Sequence, residues 1–375
     1  MIQPIEDILK IRGNISNVDK TNSNKHCIVF NEDNGSKTAY CFSMPIYDEK
    51  TKKIINCEFS IQNEIAMFNG TNCNVYIDKK IVFNNAEGSC EIELVKNGDN
   101  ILNPQQIISG GCTIKPTLNG IVCMVPCNKN MPYTFIVRSD EPCREIKANN
   151  KSFSFMVAPF VPLVTVSCIG SYNSPKLLGP AQITYHQMDE KSFKISLMTD
   201  EPDTEYIMME INMHSEKALQ DTTVESANPY MNNAFGGTAF LGTTAVFGEQ
   251  WLYTRPELNR VLEPFNHRIN KIILHIPKLN ESTTEIAAFR AAMRFCSFGS
   301  TWNNKISSSS AMGAVDINNE YISLDLTEAL VEGQFANYIR NDGFILKPKN
   351  KNSGFIALST GDSYYKPQII EIKYK

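Results

Sequence analysis

From Cys27 to Phe42 the chain reads CIVF, then NEDNGS around Asn34-Gly35, then KTAYCF. Two runs of β-branched, aromatic and other apolar residues flank a pair that tolerates positive φ, which predicts a β-hairpin. The pattern recurs. NVYIDKKIVFNN sets Asp78-Lys79-Lys80 between two apolar runs, and NGIVCMVPC and MPYTFIVRS add two strands. A helix would repeat its apolar residues every third and fourth position, and that spacing is nearly absent before Asn150. Residues 1–150 therefore read as an all-β domain, with an assembly or docking role.

FSFMVAPFVPLVTVSCIG (Phe153 to Gly170) carries Pro159 and Pro162, which exclude a helix and suit an edge strand or a domain junction. AQITYHQ, KSFKISLMT and TEYIMMEINMHS follow as strands that either form a small bridging sheet or belong to one of the neighbouring domains, and 151–204 is read as a β-rich bridging segment. INKIILHIPKL then puts Ile272, Leu274 and Ile276 on one face, and TEIAAFRAAMRFCSF continues as a strand or short helix. In EYISLDLTEALVEGQF the period changes: Ile322, Leu324 and Leu326 alternate, then Leu326, Ala329 and Leu330 recur as on a helix. Asp325 and Glu328 have capping-box spacing and Gly333 supplies a stop. The last stretch, from Asn341 through FILKP and FIALS to IIEIKY, is expected to close the fold as a hairpin. At 375 residues the chain suits more than one domain. The expected class is all-β, with two or three β-sandwich or jelly-roll-like domains in series and one short helix in the C-terminal domain, 205–375.

With 42% hydrophobic and 20% charged residues, the chain has enough apolar surface for packed cores. The net charge of −4 is small and no long Lys/Arg run occurs, which argues against a nucleic-acid surface. MIQPIEDILKIRGN places Glu6 and Asp7 where a secretory signal is basic, and nothing reaches the ~18 apolar residues of a membrane span. The expectation is synthesis in the cytoplasm without a signal peptide, no membrane insertion, and a final place in an assembled particle.

Ten of the 11 cysteines precede Ile169. Most spacings run from 14 to 22 residues, without CxxC knuckles, and the close pair Cys123 and Cys127 spans a proline. The expectation is mostly reduced, buried thiols acting as small hydrophobes. His26, His186, His214, His267 and His275 are scattered without HExxH spacing, and no GxSxG occurs. GGTAFLG lacks the Lys-Ser/Thr ending of a phosphate loop. No catalytic residue is assigned and no cofactor is expected, apart from a structural Ca²⁺ considered near Asp221. A polysaccharide lyase or hydrolase is the weakest alternative, since it rests only on fold-level analogy; its paired carboxylates would assemble across the fold rather than in a sequence motif.

From Asp221 to Tyr374 the chain resembles the DNRLRE family of β-sandwich domains, which is related to a carbohydrate-binding module family. The matching residues are DTTVESANPYMNNAFGG with AFLG, RVLEPFNHRINKIILHI, STWNN, SLDLTEAL, NDGFILKP and KPQIIEIKY. The resemblance implies a C-terminal β-sandwich whose last two elements pair as neighbours.

Trp251 and Tyr253 in EQWLYTRP, Trp302 in STWNN, and Tyr364-Tyr365 in GDSYYKP lie near turns or strand ends. Flat aromatic faces stack on sugar rings or protein partners, so these are the candidate contacts; the structural alternative is that the tryptophans plug the sandwich core and the tyrosines cover its rim. Two functions follow as expectations. One is a non-catalytic structural or binding subunit of a particle assembled inside the cell (a phage virion or tail appendage, a phage-like particle or a spore surface), its partners being copies of itself and other subunits. The other is a carbohydrate-binding protein of a bacterial surface or polysaccharide-degrading system.

Overall fold

The computed structural model describes all residues except 1–2, 56, 71–72, 95–100, 159–160, 214–218, 258–268, 313–314, 332–340 and 352–353. Nearly all regular structure is antiparallel β, in several sheets. The chain divides into two compact units. One combines Met1–Ile55, Glu216–Ala234 and Ala239–Lys375; the other is Asn56–Ser215 with Phe235–Thr238.

In the second unit, a nine-stranded sheet contains Gly120–Pro126, Tyr206–Met213 and Val161–Asn173 as successive neighbours, and an eight-stranded sheet contains Ser192–Met198, Tyr133–Ser139 and Gly88–Glu93. One apolar cluster joins residues of both sheets, including Phe83, Ile92, Phe135, Phe193, Ile121, Val166 and Ile211. Tyr133–Ser139 alternates between buried and more exposed positions, as a strand with one face on a core must. At Gly120 a Cβ would lie 2.1 Å from the Ile211 carbonyl oxygen, so only glycine lets these neighbouring backbones pack.

In the first unit, a six-stranded sheet runs Cys27–Asn31, Lys37–Phe42, Ile369–Tyr374, Ile269–Pro277, Tyr321–Asp325 and Asp316–Ile317. A seven-stranded sheet runs Ser308–Ala311, Ile286–Ala291, Phe344–Pro348, Gly248–Pro256, Thr238–Thr244 and Phe355–Ser359, with Leu219–Glu225 also paired to Gly248–Pro256. Val29, Ala39, Ile272, Leu274, Ile322 and Ile370 from the first sheet meet Leu241, Leu252, Ile286, Leu346 and Leu358 from the second in one core. Each unit is thus a β-sandwich.

The all-β class, the Asn34-Gly35 hairpin, the Asp78–Lys80 hairpin and the short helix Thr327–Val331 after strand Tyr321–Asp325 are all present. The Thr327 N–H donates to Asp325 Oδ1 at 3.0 Å, so Asp325 caps that helix; Gly333 lies outside the described residues.

Four expectations change. The compact units are not the serial blocks 1–150, 151–204 and 205–375, because Lys37–Phe42 pairs with Ile369–Tyr374 and makes the N-terminal hairpin part of the last sandwich. The final strands do not form a hairpin: Phe344–Pro348 pairs with Gly248–Pro256 and Ile286–Ala291, whereas Ile369–Tyr374 crosses to the other sheet. A second helix, Gln3–Arg12, opens the chain. Its signals were Pro4 in the first turn, Glu6 early and Arg12 late, and Gly13 at φ 86°, whose N–H donates to the Leu9 carbonyl at 2.7 Å. The cysteine reading holds for most of them, with one exception: Cys27 and Cys41 face each other across the first hairpin and form a disulfide. Cys73, Cys90, Cys112, Cys123, Cys127 and Cys168 are free and buried. Pro162, read as an edge or junction residue, opens Val161–Asn173 where, among the described residues, that strand pairs only with Ser152–Ala158; from Val164 onward the strand is interior, and Pro159 lies outside the described residues.

Candidate functional site

Two surfaces of the first unit gather side chains that can do chemistry, and each follows from strand alternation. In Gly248–Pro256, Leu252 points into the core, so Trp251 and Tyr253 point to the outer face of the seven-stranded sheet. The segment from Ala292 to Ser307 folds over that face. Its Phe295 packs edge-on against Tyr253 at 5.6 Å between centroids, and the Tyr253 hydroxyl donates to the Ile306 carbonyl at 2.8 Å. Tyr253 is fully buried, and burial raises its phenol pKa. It is a core residue, as is Tyr364; Tyr365 is half-buried beside it. Both lie between Phe355–Ser359 and Ile369–Tyr374, at the edge strand two places from the strand of Trp251.

Trp251 and Trp302 do come together, at 5.1 Å and 55° between rings. The Lys347 ammonium sits 3.9 Å from the Trp251 centroid and that of Lys305 4.3 Å from the Trp302 centroid. Such cation–π contacts hold the lysines on ring faces that a sugar would otherwise use. Burial lowers the Lys347 pKa, opposed by Glu249 and aided by Lys305. The Trp251 indole N–H donates to Glu249 Oε1 at 2.8 Å. The segments that carry Trp302 and the residues bonded to it also bear exposed apolar side chains: Tyr230 is 83% exposed, Met293 60% and Phe298 37%. The Asn303 N–H donates to the Pro229 carbonyl, and Asn232 Nδ2 donates to the Ser297 and Ser300 carbonyls, tying these segments together.

Asp221, considered for Ca²⁺, is buried in Leu219–Glu225, and its carboxylate accepts the Gly361 N–H. Among the described residues no group of three or more His, Cys, Asp or Glu is placed to hold a metal ion. His214 and His267 lie outside the described residues.

The second surface is the outer face of the six-stranded sheet. Since Ile272, Leu274 and Ile276 enter the core, His275 must face outward. Directly across from it on Tyr321–Asp325 stands Ser323, and Glu371 stands on the other neighbour, opposite Ile273. Ser323 Oγ is 2.9 Å from His275 Nδ1, and Glu371 Oε2 is 2.8 Å from His275 Nε2. Lys373 Nζ lies 3.1 Å from Glu371 Oε1. Burial works against the ionised Glu371, yet the His275 hydrogen bond and Lys373 hold its pKa below the ordinary value. The trio opens into a cleft of about 700 Å³ that Lys10, Arg12, Glu32 and Tyr321 also line. Arg12 pairs with Glu32 at 2.7 Å and lies 4.6 Å from the Phe30 ring centroid. Sequence reasoning missed this site. Outward-facing positions were legible from alternation, but the partners of His275 are 48 and 96 residues away.

Compared with family models and with curated proteins, the chain matches none.

Proposed function

We propose that the protein is a structural subunit of an assembled particle, such as a phage virion or tail appendage, a phage-like particle or a spore surface. In this reading the outer face of the seven-stranded sheet docks against neighbouring copies or subunits. The supporting observation is the association of exposed Tyr230, Met293 and Phe298 on segments tied together next to Trp302. Large apolar side chains grouped at a surface mark interaction sites, and aromatic and Met residues are enriched in them. Size-exclusion chromatography with light scattering on the purified chain tests this. The expected result is a concentration-dependent oligomer that Tyr230→Ser, Met293→Ser and Phe298→Ser together convert to monomer. A strict monomer at micromolar concentration, or an oligomer indifferent to the three changes, would overturn it.

Glycan recognition is the second reading, motivated by the paired Trp251 and Trp302. It requires Lys347 and Lys305 to leave the ring faces when sugar binds. A glycan array should then give stronger signals with Lys347→Ala than with the native chain, and no signal from either would remove this reading.

A further inference from the structure

The outer face of the six-stranded sheet holds a hydrogen-bonded chain that the proposed assembly role does not use. Ser323, His275 and Glu371 stand on three adjacent strands, joined at 2.9 and 2.8 Å. His275 and Glu371 are 8% and 6% exposed as side chains, whereas Ser323 is half-buried and lines the cleft. A hydroxyl next to an imidazole that a buried carboxylate orients is the arrangement of an activated nucleophile, recognised by geometry rather than chain order.

We propose that Ser323, His275 and Glu371 form a nucleophilic site that hydrolyses small, polar carboxylic esters entering this cleft. With His275 Nε2–H donated to Glu371, Nδ1 presents its lone pair to the Ser323 hydroxyl. Ser323 Oγ attacks the acyl carbon while its proton passes to His275 Nδ1, and the carbonyl π pair moves onto oxygen. That pair then returns, the bond to the alkoxide breaks, and His275 gives the proton to the departing alcohol. Water repeats the sequence on the acyl-serine: His275 takes its proton, the carboxylic acid leaves, and Ser323 recovers its hydrogen. Cationic side chains that line the same cleft, Lys10 and Arg12 among them, give it a positive potential while the oxyanion carries its charge. Ser323 and His275 are the catalytic residues; Glu371 is a positioning residue.

The probe is a fluorophosphonate applied to the full native chain, with intact-mass analysis and peptide mapping. The expected result is one adduct, on Ser323, that does not form when the chain is first unfolded in urea. Ser323→Ala should abolish the adduct, and His275→Gln should slow its formation by about 100-fold or more. Glu371→Gln should slow labelling and also alter its pH profile, which a purely structural loss would not do; circular dichroism confirms that each variant folds. Para-nitrophenyl acetate turnover should follow the same order. Absence of an adduct on Ser323 of the native chain, an adduct only on other serines, or equal labelling after urea would overturn the proposal. None of these outcomes depends on oligomeric state, so the assembly reading stands or falls separately.

Discussion

The hydroxyl of Tyr321 donates a 2.9 Å hydrogen bond to Asp7, 314 residues earlier in the chain. It fastens the N-terminal helix Gln3–Arg12 to the six-stranded sheet, beside buried Ile8. Burial raises the Asp7 pKa to about 6; the Tyr321 hydrogen bond and the Lys10 and Lys366 ammoniums oppose that shift, and Glu6 adds to it. Asp7 Oδ2 is buried without a hydrogen-bond partner among the described residues. The folded pKa exceeds the unfolded value of 3.8, so protonation favours the docked helix. Docking is therefore strongest below about pH 4 and weakens as pH rises through about 6, by a total on the order of 3 kcal/mol. Hydrogen exchange of the amides from Ile8 to Arg12, corrected for intrinsic rates, should lose protection across that window. Asp7→Asn keeps an acceptor for Tyr321 and should leave protection flat with pH; an unchanged pH response in that variant would refute the mechanism.

Trp251 and Trp302 are the only tryptophans in the chain, so tryptophan emission reports on their cluster alone. Trp302→Ala removes the ring pair and one cation–π contact and should destabilise the first unit by about 1–3 kcal/mol. Urea unfolding followed by Trp251 emission measures this. Lys347→Met, which removes the ammonium over Trp251, should shift native emission while costing less stability. Native emission identical to wild type would show that the contact is not populated.

Nine of the 11 cysteines are free and two are bridged. Under native conditions a thiol reagent should react first with exposed Cys296, and more slowly with half-buried Cys57 and Cys143. Burial pushes the thiols of Cys57 and Cys73 up to about 12, which suppresses the reactive thiolate. Denatured, unreduced protein should show nine thiols, and reduction should reveal two more. Eleven thiols without reductant would mean that Cys27 and Cys41 remain unbridged in the isolated protein.

Gly120→Ala should destabilise the second unit by more than about 2 kcal/mol, because the new methyl meets the Ile211 carbonyl at 2.1 Å with the Asn212 side chain at 2.9 Å. Alanine at Gly35, where nothing lies within 4 Å, meets no clash and suffers only from its φ of 77°. Thermal unfolding of the two variants compares them, and a Gly35→Ala loss as large as that of Gly120→Ala would contradict the packing.

The turn chemistry of Asn34-Gly35 and the alternation of INKIILHIPKL were enough to place strands and to say which side chains share a face. Both are properties of neighbouring residues: φ tolerance at a turn and a period of two along an extended backbone. Alternation even required His275 to point away from Ile272, Leu274 and Ile276. What stands beside it was settled by pairing. Ser323 and Glu371 reach His275 only because Ile269–Pro277 lies between Tyr321–Asp325 and Ile369–Tyr374, and Asp7 reaches Tyr321 across almost the whole chain. Strands of similar alternation are nearly interchangeable as partners until a common core is filled, so the choice rests on packing between distant segments. For the same reason Lys37–Phe42 joins the last strand of the chain, and Ile369–Tyr374 leaves the hairpin that its sequence neighbours would have formed with it.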